Sequence, residues 1–165
     1  MPKLEGAVPS KLPIAPPDLQ NKIRITATYE ITEREAFLYH RALKGLDLQL
    51  KEQGVDYSKL PEATAIFTRD GKFTILPDGD ELGYKTCLLI YCVQKWRDVS
   101  YTDEGLLIIF LEELCHHFLN IDDEEIVKHK VVEVINRITE KKLTFEDLFA
   151  SDWKKGYPDL YPENE

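Results

Sequence analysis

From Lys22 to Ile31 the chain alternates without a break, with Ile23, Ile25, Ala27, Tyr29 and Ile31 on one side and Arg24, Thr26, Thr28 and Glu30 on the other. Successive side chains of a strand point to opposite faces, so this run predicts a strand over 22–31 with one face buried. The next residues change period. Thr32 and Glu35 form a capping-box pair, and Tyr39, Leu43, Leu46 and Leu50 then recur at helical spacing until Gly54. A strand followed at once by an amphipathic helix restricts the chain to architectures that layer a sheet on helices.

The rest of the chain extends that pattern. Ala65-Ile66-Phe67-Thr68, a turn at Asp70-Gly71 and Phe73-Thr74-Ile75-Leu76 read as a hairpin over 64–76. Residues 84–97 carry Leu88, Tyr91, Cys92 and Lys95 at helical spacing, although the centre, Cys87 to Val93, would also suit a buried strand. Thr102 caps a helix over 103–119, and Asn120 is placed to stop it in a left-handed conformation. Asp122 and Glu125 then read as the cap and reciprocal partner of a helix over 123–140, with Val127, Val131, Val134 and Ile138 as its stripe. The expectation is an α+β domain: a small antiparallel sheet packed on helices over about 33–53, 84–97, 103–119 and 123–140. Residues 1–20 hold five of the nine prolines and read as a flexible arm, residues 21–150 as the single globular domain, and 151–165 as a loose tail.

Composition narrows the function classes. A net charge of −9, with basic residues only in short clusters such as Lys128/Lys130, argues against a nucleic-acid surface, which needs clustered cations to meet phosphates. No apolar run approaches the roughly 20 residues of a membrane span. Cys87, Cys92 and Cys115 lack paired spacing and sit among apolar residues, as buried reduced thiols of a cytoplasmic protein would.

The chemistry is concentrated in Glu112-Glu113-Leu114-Cys115-His116-His117. Glu112 and His116, four apart on a helix, share a face, and Glu113 stands beside them. These residues resemble the HExxH segment of zinc peptidases of the zincin superfamily, with Glu in place of the first His. Asp122, six residues after His116, falls where the extended form of that motif has its third ligand, while Leu119 takes the place of its Gly. The resemblance implies Glu112, His116 and Asp122 as metal ligands and Glu113 as the general base that activates a bound water. Zn²⁺ is the metal it implies. A set with two carboxylates would accept Mn²⁺, Fe²⁺ or Mg²⁺ as readily.

A plainer reading explains the same residues. Glu112, Glu113, His116, His117 and Asn120 fall on one arc of about 140° of an amphipathic helix. Glu112 with His116, and Glu113 with His117, are favourable acid–base pairs four apart, and Asp122 to Glu125 complement a helix start. Gly105, Leu106 and Ile109 continue the arc, as a pocket apolar at one end would. Two functions therefore stay open. One is a metal-dependent, hydrolase-like domain, active or decayed. The other is a non-catalytic interaction or accessory protein with no metal site, its arm or tyrosine-bearing tail meeting a protein partner.

Overall fold

A computed structural model of the chain describes residues 3–8, 13–76 and 85–163. In chain order the elements are β1 (Lys3–Leu4), β2 (Ile23–Ala27), α1 (Glu33–Glu52), β3 (Ala63–Thr68), β4 (Ile75–Leu76), β5 (Cys87–Cys92), α2 (Val93–Asp98), α3 (Asp103–Phe118), α4 (Glu124–Thr139) and α5 (Phe145–Leu148). The protein is α+β, as the sequence leads one to expect. Its main sheet, however, is parallel, in the order β2-β3-β5. Antiparallel pairing is confined to β1 and β4, which form a separate two-stranded ribbon.

The alternation in β2 sorts the faces as its pattern requires. In register, Ile23, Ala63 and Cys87 lie side by side, so odd-numbered residues of all three strands share a face. On that face Ala27, Ala65, Phe67, Leu89 and Tyr91 enter the core beneath the helices. Tyr39 of α1 and Phe110 of α3 meet them edge-on, with ring centroids 5.0 Å apart for Tyr39–Phe67 and 5.5 Å for Tyr91–Phe110. Helix α3 packs against both α1 and α4, which also touch each other. The stripe Tyr39, Leu43, Leu46 and Leu50 is wholly buried, as are Val127, Val131 and Val134.

Two expected elements differ. The run 64–76 is not a hairpin. Asp70-Gly71 does turn the chain, with Gly71 at φ 86°, and the Thr68 hydroxyl accepts from Gly71 N at 2.7 Å. Beyond the turn, Ile75–Leu76 leaves β3 and pairs with Lys3–Leu4. β3 has no edge to offer it, because β2 and β5 occupy both sides and every β3 residue is buried. The expected helix over 84–97 is strand through Cys92 and helix only from Val93. A continuous apolar run such as Cys87-Leu88-Leu89-Ile90-Tyr91-Cys92 is the signature of a parallel strand, and here it outweighs the helical spacing. The first residue of that expected helix, Tyr84, lies outside the described residues.

The helix ends follow local chemistry. Thr32 and Glu35 complete a reciprocal capping box, Thr102 accepts from Gly105 N, and Asn120 turns left-handed at φ 53°. The cap of α4 is Asp123, whose carboxylate accepts from Ile126 N at 2.8 Å, rather than Asp122. Within the segment read as an arm, Val8 N donates to Ala27 O at 3.0 Å and Leu19 is in the core. Within the segment read as a tail, Trp153 packs against the core. No helix among the described residues is long and apolar enough to cross a membrane.

Candidate functional site

Helix α3 carries Glu112, Glu113 and His116, and the structure sets this group beside a lysine of α4. Lys128 of α4 is 3% exposed. Its ammonium lies 3.0 Å from Glu112 Oε1 and 3.3 Å from Glu124 Oε2, and it donates to the Tyr157 hydroxyl at 3.2 Å. Three rings of the C-terminal segment close around it. The centroids of Tyr157, Trp153 and Phe149 lie 4.7, 4.8 and 5.5 Å from Nζ. Burial opposes the charge of Lys128, but Glu112 and the Tyr157 oxygen outweigh it and hold its pKa above the ordinary lysine value. Glu112 is raised as well: burial outweighs the lowering by Lys128, with Glu124 adding to the rise. The 3.0 Å contact and the raised lysine together define a charged pair from which water is largely shut out.

His116 faces the same cluster. Its Nδ1 meets the Ile121 carbonyl at 2.5 Å and its Nε2 faces Glu124 at 3.3 Å. Glu113 is exposed, yet desolvation by the surrounding protein holds its carboxyl above the usual range, with His116 opposing and Glu112 and Glu124 adding. Asp122 is exposed on the connection between the helices. The structure thus brings Glu112, Glu113 and His116 together on α3 and leaves Asp122 outside. Among the described residues no group of three or more His, Cys, Asp or Glu side chains is arranged to hold a metal ion. The donor set does not fit the metal that the zincin resemblance implies, because the Lys128 ammonium already lies against Glu112 and Glu124 and Asp122 points away on the exposed connection.

His117 does not form the expected pair with Glu113. It turns toward the Pro61 backbone, burial lowers its pKa, and its Nε2 finds no hydrogen-bond partner among the described residues. Leu106, expected at the apolar end of a pocket, is instead fully buried in the core. Of the three cysteines expected to be buried only Cys115 is, and desolvation pushes its thiol up to about 12; Cys87, on the outer strand β5, is exposed and Cys92 half-buried.

Sequence reasoning missed Lys128, which reads as part of a solvated basic pair with Lys130. Two signals could have found it. Lys128 follows Glu124 by four and Val127 by one, at the border of the buried stripe, and Phe149, Trp153 and Tyr157 recur at intervals of four. Compared with family models, with curated proteins and with solved structures, the chain matches none.

Proposed function

We propose that the protein is a non-catalytic binding or accessory protein in which the α3–α4 cluster is a structural seam. The single observation that carries this is the Lys128 ammonium, held between Glu112 and Glu124 where a divalent cation would have to sit. An internal cation of this kind neutralises the half-buried carboxylates, and a metal would have to displace it and its aromatic enclosure. The cytoplasmic setting expected from the cysteines suits such a role.

One observation favours the alternative, a metal-dependent hydrolase-like domain with Glu113 as base. A carbonyl bonded to Nδ1 of His116 is how metal-binding imidazoles are commonly oriented. Titration of dialysed protein with Zn²⁺ and Mn²⁺ separates the two. A ligand present at 100 times its Kd stabilises a fold by about 2.7 kcal/mol, so a metal site would raise the melting temperature by several degrees. The expected result is an unchanged melting temperature and no stoichiometric transition metal in purified protein. Bound metal that is lost in His116→Ala, or turnover that vanishes in Glu113→Gln, would reverse the assignment.

A further inference from the structure

The face of the parallel sheet away from the helices is formed by the even-numbered residues of β2, β3 and β5, among them Arg24, Thr26, Thr64, Ile66 and Leu88. It is not simply open. After β3 the chain forms β4, which pairs with β1, and this ribbon and the sheet together line a cleft of about 810 Å³. That volume falls within the roughly 300–1,000 Å³ range of small-molecule sites. Its walls are apolar on both sides, Leu4 and Ile75 from the ribbon, Ile66 and Leu88 from the sheet. Its charged lining is of one sign: Lys3, Arg24 and Lys85, with no carboxylate among the described lining residues. Neither Lys3 nor Lys85 has an ion-pair partner among the described residues, in a chain whose net charge is −9. Two lysines without an ion-pair partner among the described residues, on the rim of one largely apolar cleft, offer an anionic head its counter-charge.

We infer that this cleft binds a free amphipathic anion, with an apolar body between ribbon and sheet and a carboxylate or phosphate head at the lysines. A small molecule fits better than an extended peptide. Both edges of β3 are taken by its neighbours, so the cleft floor offers side chains and not the unpaired backbone groups that a peptide strand needs. A bilayer fits worse still, because the ribbon roofs the floor. The inference rests on the binding reading above and names its ligand class. The two fail separately, since the metal titration reads α3–α4 and this site lies on the opposite face of the sheet.

Calorimetric titration of the full chain with decanoate tests it, with decan-1-ol as the neutral counterpart of equal length. The expected result is saturable 1:1 binding of decanoate, at least tenfold weaker binding of decan-1-ol, and methyl NMR shifts centred on Ile66 and Leu88. Lys85→Glu and Lys3→Glu, both at exposed positions, should each weaken decanoate binding at least fivefold, while Lys85→Arg retains it. Equal affinity for acid and alcohol, indifference to both charge reversals, shifts centred elsewhere, or no saturable binding would each overturn the assignment. Binding of decanoate only when presented in vesicles would overturn it too, in favour of a membrane surface.

Discussion

Glu35 shows how one residue can serve three neighbours at the helix–sheet junction. Its carboxylate accepts from Arg97 Nε at 2.8 Å and Nη2 at 2.9 Å, from Trp96 Nε1 at 3.3 Å, and from Thr32 N at 3.2 Å as half of the capping box. Burial alone would raise its pKa. The hydrogen bonds from Arg97, Trp96 and Thr32 reverse that and hold it below the ordinary 4.5. A depressed folded-state pKa contributes stability that is present above the unfolded value and lost as pH falls through the folded one. Glu112 and Glu113 have the opposite sign, since their raised values favour the fold at low pH and lose that contribution as pH rises. Glu35→Gln should therefore lower the unfolding free energy by roughly 2 kcal/mol at pH 7, the scale of a charge-assisted hydrogen bond plus a cap. The gap to wild type should narrow as pH falls from 4.5 through the lower folded value, because the unfolded chain takes up its proton first and the native carboxylate only later. Urea unfolding at pH 7, 5 and 3.5 measures this, and a gap independent of pH would show that Glu35 acts by shape alone.

At the scale of the elements, the approach of α1 to α4 is set by Gly45. A Cβ at that position would lie 2.7 Å from Val134 Cγ1 and 2.9 Å from Ile138 Cγ2. Alanine gains up to about 1 kcal/mol of helix propensity over glycine, whereas forcing a methyl into a packed core costs about 1–3 kcal/mol. Val134 is fully buried and β-branched, so it cannot swing aside cheaply. Gly45→Ala should destabilise by about 1 kcal/mol net, and Val134→Ala should recover part of that loss in the double variant. A more stable Gly45→Ala in thermal unfolding would mean that the two helices can separate at no cost. Much at this scale is legible in the sequence. The β2 alternation, the α1 stripe and the caps at Thr32 and Thr102 are local patterns with local causes. Strand pairing is less so. Ile75–Leu76 looks like the second arm of a hairpin until β5 is known to hold that side of β3, and β5 itself carries helical spacing inside a strand-like apolar run. Competition for the edges of β3 is a tertiary fact that no window of sequence contains.

For the whole molecule, the decisive link is between the C-terminal segment and the helix pair. The acidic and histidine cluster at 112–116 can be read from sequence because helical spacing brings it together, but its meaning cannot, because its counter-ion comes from α4 and its enclosure from residues 149–157. Phe145, Phe149, Trp153, Tyr157 and Tyr161 form a continuous aromatic chain, with Trp153 5.4 Å from Tyr161 and 6.0 Å from Tyr157. That chain ends on Lys128 and on Lys154, while Trp96, of the same residue type, belongs instead to the central core with Phe67 and Phe110. If lysine, carboxylates and rings act as one unit, their substitutions cannot add. Lys128→Met keeps the aliphatic stem but leaves Glu112 and Glu124 without their cation, and should cost about 3 kcal/mol. Trp153→Ala removes one wall of the enclosure. In the double variant the ring has no ammonium left to hold, so the combined loss should fall short of the sum by about 1 kcal/mol, the scale of a desolvated cation–π contact. Denaturant unfolding of the four proteins closes the cycle. Additivity to within a few tenths of a kcal/mol would leave the segment as a passive cover and the buried lysine stabilised by its carboxylates alone.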